Sequence, residues 1–118
     1  MSSEQMQRKL RQYGADMAGI SSRFDDDYDF YAFCLATFFE DNNFARLAQA
    51  IEAQDIRAGF EAAHALKGIS ANLGLTPFSS AVSELAEALR LPVAEDIQPK
   101  YQRFMQQLEA LSQLREQE

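Results

Sequence analysis

Apolar residues in this chain recur three and four positions apart from one end to the other, and nowhere do they alternate with polar ones over a strand's length. That period is the signature of helices that bury one face, so the chain has little choice but to fold as packed helices. Met6, Leu10 and Tyr13 make the first such stripe, with Gly14 as a stop; a weaker one runs over residues 15–23 through Met17 and Ile20. Residues 28–40 are almost continuously apolar, with Phe30, Tyr31, Phe33, Cys34, Leu35, Phe38 and Phe39. Such a helix needs covering by the N-terminal segment or a partner on its remaining face. A further helix restarts at Asp41 or Asn42 and carries Phe44, Leu47, Ala48 and Ile51.

Asp55 reads as the N-cap of a central helix that runs to Leu73, with Gly74 just beyond its end. Thr76 as cap and Pro77 as the first helical residue open the next, whose stripe is Phe78, Val82, Leu85 and Leu89 and whose stop is Pro92. The last helix starts at Asp96 or Gln98 with Pro99 in its first turn, and turns Tyr101, Phe104, Leu108, Leu111 and Leu114 to the core. The short connections make sequential helices antiparallel neighbours. The expected architecture is all-α: an up-down antiparallel four-helix bundle over residues 28–115, with residues 1–27 as a helical cover, in one domain spanning 1–118.

Composition narrows the partners. The chain is 47% hydrophobic and 25% charged, which suits a packed core in a water-facing shell. A net charge of −7 argues against nucleic acid and against an anionic membrane surface. No run of apolar residues is long enough for a transmembrane helix, and the polar N-terminal stretch lacks the apolar core of a signal peptide. A lone cysteine, Cys34, forms no internal disulfide and fits a reducing compartment, so a cytoplasmic location is expected.

Asp25, Asp27 and Asp29 alternate like the start of a calcium loop, but Phe30 stands where such a loop needs glycine and Ala36 where it needs glutamate. Acidic residues at a helix N-terminus are the simpler reading. One histidine and one cysteine cannot furnish a four-ligand zinc site, and no nucleotide-cradling glycine loop or serine-nucleophile motif is present. No cofactor of this chain's own is expected, and no ATP-dependent kinase activity.

What chemistry remains lies in the central helix. Its face carries the only histidine, His64, followed by Lys67, Gly68 and Ala71, and preceded by Arg57 and Glu61. Ala62, Leu66, Ile69 and Leu73 fall on the opposite face. A neutral imidazole is a good nucleophile. A lysine three residues on sits where it can offset the negative charge of an added phosphoryl group. Glycine inside a helix costs about 1 kcal/mol relative to alanine, so Gly68 points to a surface that a bulky partner approaches closely. Glu61 can orient the imidazole or serve as plain surface charge. Asn72 lies to the side of the histidine face, where it can donate a hydrogen bond to a phosphoryl oxygen or to a partner, and Phe60 flanks the same face as an apolar contact for the partner.

The run His64-Ala65-Leu66-Lys67-Gly68, with Ser70 and Asn72-Leu73-Gly74 after it, resembles the signature of histidine phosphotransfer (HPt) domains, the intermediates of His–Asp phosphorelays. An alanine pair precedes the histidine and an amphipathic helix ending near Arg90 follows, so the likeness spans roughly residues 28–115. Ala65 stands where many members carry serine or threonine. The resemblance implies that His64 is the phosphoacceptor, that Lys67 neutralises phosphoryl charge, and that Gly68 gives the partner access. The implied partners are response-regulator receiver domains, which bring their own Mg²⁺, and a hybrid histidine kinase. The chain would be a relay intermediate in two-component signalling more than a true enzyme. The alternative of another class is a non-catalytic helical adaptor that binds a receiver or kinase. A hydrolase with His64 as general base lacks a nucleophile.

Overall fold

The computed structural model describes residues 2–92 and 94–115; Met1, Val93 and residues 116–118 of the expected domain lie outside the described residues. Seven α-helices are present among them, and no strand: α1 (Ser3–Tyr13), α2 (Met17–Arg23), α3 (Tyr28–Phe39), α4 (Asn43–Ala53), α5 (Ile56–Asn72), α6 (Thr76–Arg90) and α7 (Ala94–Ser112). None is long and apolar enough to cross a membrane.

Several boundaries have a local cause. Ser2 and Gln5 form a reciprocal capping box at the start of α1, and Gly14 ends it in the left-handed conformation (φ 98°). Asp16, Asp27 and Asp55 cap α2, α3 and α5 with side-chain oxygens on Gly19, Phe30 and Ala58 amides. The acidic run is thus used for a cap: Asp27 Oδ1 accepts the Phe30 N–H at 3.0 Å. Asp25 and Asp26 take the left-handed turn before it, which aspartate tolerates better than most residues.

α4 packs on α5, α5 on α6 and α6 on α7. Residues 54–55 and 73–75 reverse the chain between the first three, so these neighbours run antiparallel. Small buried residues on α5, Gly59, Ala62 and Ala63, let its neighbours come close; a Cβ on Gly59 would touch Leu89 at 3.4 Å and Ala50 at 3.6 Å. Phe78 stands at the centre of an aromatic cluster, with Phe38, Phe44 and Phe104 rings 5.9, 6.1 and 5.3 Å away. Tyr31, Leu47, Leu66, Leu85 and Leu111 complete a continuous core.

Several sequence expectations shift. The break at residues 40–42 falls where a new helix was expected to restart, so residues 28–115 hold five helices; α3 contacts α1, and α4 to α7 supply the successive pairs. Ala48 is exposed, since α4 buries Leu47 and Ala50 and its apolar stripe is narrower than the spacing suggested. Thr76 is already helical and Leu75 holds the cap position. α7 begins at Ala94, earlier than expected, and Pro99 lies inside it. The helix survives because the hydrogen bond lost at Pro99 belongs to an exposed side of the helix, where water can take the freed carbonyl.

The N-terminal helices grip the α5–α6 elbow. Gly74 turns it at φ 69°, and a Cβ there would lie 2.6 Å from Ile20 Cγ1. The Asp16 N–H donates to the Gly74 carbonyl at 2.9 Å, and the Tyr31 hydroxyl to the Leu73 carbonyl at 2.6 Å. Carbonyls left over at the helix end thereby find partners from far back in the chain.

Candidate phosphotransfer site

α5 is held by the core along one side and presents the other to water. Ala62, Ala63, Leu66 and Ser70 are buried, whereas Arg57, Glu61, His64, Lys67, Gly68 and Ala71 are exposed. Ile69, expected on the buried face, is only half-buried. Ser70 turns inward and its hydroxyl donates back to the Lys67 carbonyl at 3.1 Å, so it takes no part in the exposed face.

His64 projects from the middle of α5, away from the core. Side chains on a helix lean toward its N-terminus, which lays the imidazole over Phe60, one turn earlier. The two rings stack, with centroids 5.6 Å apart and planes inclined by 19°. Phe60 itself is half-buried and packed on the core.

Lys67 follows His64 by three residues and is exposed, free to reach back over it. Its charge is also felt on α6. There Arg90 donates to Glu87 at 2.5 and 3.2 Å and holds that carboxyl below its ordinary value, with Lys67 adding a smaller contribution. Around Gly68 there is open space: a Cβ placed on it would meet nothing within 4 Å. No packing contact inside the chain therefore requires glycine here.

The remaining sequence candidates fall into place unevenly. Glu61 accepts from Arg57 Nε at 3.3 Å, an exposed pair one turn apart, and no hydrogen bond or ion pair joins it to the imidazole among the described residues. Asn72 ends the helix, eight residues and so about 12 Å along the axis from His64. Its carbonyl accepts from Arg23 Nε at 2.8 Å, and Ala71 from Arg23 Nη2 at 3.4 Å. Arg23 places a cation at the negative end of α5, a role that distance in sequence concealed. Among the described residues no group of three His, Cys, Asp or Glu is arranged to hold a metal ion.

A second exposed feature lies on α3. Phe30 and Phe33 are 53% and 68% exposed and stack on each other at 6.5 Å. The Phe24 ring lies 6.1 Å from Phe30.

α5 thus brings together a solvent-facing histidine, an exposed lysine and an uncrowded glycine. The family model described as Hpt domain matches residues 35–117, and the chain belongs to that family. Its general role is thus that of a histidine-containing phosphotransfer domain in a phosphorelay, and receiver domains are the general partners of that family. Neither the search of curated proteins nor that of solved structures returned a match.

Proposed function

We propose that this protein is the intermediate of a two-component phosphorelay, taking a phosphoryl group onto His64 from the phospho-aspartate of one receiver domain and passing it to another. The observation that carries this reading is the open surface at His64 and Gly68, where nothing within 4 Å of a Cβ on Gly68 would obstruct a docked partner. The lone pair of an imidazole nitrogen attacks phosphorus, and an N–P bond forms. The P–O bond to the aspartate breaks, the carboxylate leaves with the electron pair, and the other ring nitrogen releases its proton to water. The return step onto a second receiver reverses these events. Lys67 lowers the cost of gathering phosphoryl charge at the helix surface.

The receiver supplies the acidic pocket and its Mg²⁺; this chain supplies a nucleophile and a docking face. Phe30 and Phe33, exposed on α3, are the apolar residues this reading assigns to that face. A hybrid histidine kinase is the fitting upstream source of phosphate, and the cytoplasm the fitting compartment. With no nucleotide-binding loop in its sequence, the chain depends on a phosphorylated partner for its phosphoryl group.

The test is transfer from radiolabelled phospho-receiver with Mg²⁺ to the purified chain and to His64→Gln. Acid-labile, base-stable label on the wild type alone supports the reading. Receiver binding without label on either protein favours a non-catalytic adaptor.

A further inference from the structure

We propose that Phe60 is a positioning residue for phosphoryl transfer, holding the His64 imidazole in the plane from which its nitrogen attacks; this rests on His64 being the phosphoacceptor. The stack at 5.6 Å and 19° joins two unequal partners. Phe60 is half-buried and anchored on the core, while His64 is exposed. An exposed histidine on a helix ordinarily samples several rotamers. Hydrogen bonds usually settle the orientation of a functional imidazole. Among the described residues none does so here, and Glu61, the adjacent carboxylate, is engaged by Arg57. The aromatic face of Phe60 is what remains to fix the ring.

The geometry suits the chemistry. A ring nitrogen's lone pair lies in the plane of the imidazole, so a neighbour stacked on one π face leaves both nitrogens uncovered. Transfer needs that lone pair in line with the breaking P–O bond, and rate falls steeply with misalignment. After transfer, the new N–P bond also lies in the ring plane, clear of Phe60. An alanine at position 60 would leave the imidazole equally accessible but free to turn.

The experiment uses the full chain, with Phe60→Leu, which keeps apolar packing but removes the flat face, and Phe60→Tyr, which keeps the ring. Phe60→Met carries the same test if the leucine variant loses helicity by circular dichroism. Single-turnover transfer is followed against receiver concentration. In parallel, phosphoramidate serves as a receiver-free donor: its P–N bond breaks, ammonia leaves, and the N–P bond to His64 forms. The His64 ring-proton shifts are read by NMR in each protein.

Phe60→Leu is expected to lower the rate at saturating receiver by roughly three- to tenfold, the scale of one aromatic pair. Apparent receiver affinity should hold, phosphoramidate labelling should slow alike, and the ring-current shift of the His64 protons should vanish. Phe60→Tyr should restore all three. A loss confined to receiver affinity would overturn the proposal and make Phe60 a partner contact; so would unchanged rates, or an equal loss in Phe60→Tyr. Failure of the wild type to take label at His64 from either donor would instead sink the phosphoacceptor reading itself.

Discussion

The hydroxyl of Tyr13, at the end of α1, accepts the backbone N–H of Phe78 in the first turn of α6, at 3.0 Å. Leu75 in the cap position has no side-chain oxygen to offer, and Pro77 has no N–H to satisfy. The first helix of the chain therefore does for α6 what a serine or threonine cap does elsewhere. With Asp16 on Gly74, Arg23 on Ala71 and Asn72, and Tyr31 of α3 on Leu73, the N-terminal segment and α3 together meet the polar groups of the elbow that follows the histidine helix.

Tyr13→Phe should therefore destabilise the chain by about 1–2 kcal/mol, the scale of a lost helix cap with its donor left partly buried. Urea unfolding measures the loss, and hydrogen exchange at the Phe78 amide should accelerate more than at the middle of α5. Equal stability of variant and wild type would mean that water replaces the phenol without cost.

Alkaline pH should weaken the same junction. Burial pushes the Tyr13 phenol up to about 12 from 10.0, against a smaller lowering by the Phe78 N–H. Burial also raises Tyr31, with the Tyr13 and Tyr28 charges adding to it. An unfolded tyrosine ionises near its ordinary value, so the unfolded state loses protons first as pH rises. The contribution of these phenols is complete below pH 10.0 and is lost as pH climbs toward about 12. Urea midpoints should be level up to the lower value and fall beyond it, with a shallower fall in Tyr13→Phe.

Phe33, 68% exposed and stacked on Phe30, contributes little to the core. Phe33→Ser should change stability by less than about 0.5 kcal/mol. If the α3 face seats the receiver, the same change should weaken receiver binding by roughly fivefold or more, as truncating an aromatic anchor does. Titration calorimetry with a receiver domain reads the affinity. Unaltered binding would place the docking surface elsewhere on the bundle.

Much of this was legible in the chain itself, for reasons that differ by residue. Asp55 and Gly74 bracket α5 because capping and the left-handed turn are local chemistry, decided within a few residues. The exposed set around His64 followed from helical period alone. What stayed hidden was tertiary: Tyr13 and Phe78 lie 65 residues apart, and Arg23 and Asn72 lie 49 apart. No local pattern could show that α6 is capped from α1, which is why Thr76 looked like the cap. The Phe60–His64 stack sits between these cases. Its spacing of four residues puts the rings on neighbouring turns, but spacing alone does not separate a contact made with a partner from one made with His64.

Gly68 offers the sharpest separation of stability from function. A helix-interior glycine costs about 1 kcal/mol relative to alanine. Usually a substitution risks a clash, but here an added Cβ meets nothing within 4 Å, and the residue is not in the left-handed region. Gly68→Ala should therefore raise stability by up to about 1 kcal/mol in urea. Transfer from a phospho-receiver should move the opposite way, because the new methyl stands on the surface that the partner must approach. A loss of about 1.4 kcal/mol in that contact would slow single-turnover transfer on the order of tenfold. Phosphoramidate, being small, should label His64 in Gly68→Ala at close to the wild-type rate. Slower labelling from both donors would show that the glycine acts on the imidazole itself; undiminished receiver transfer would show that the partner does not come close at this turn.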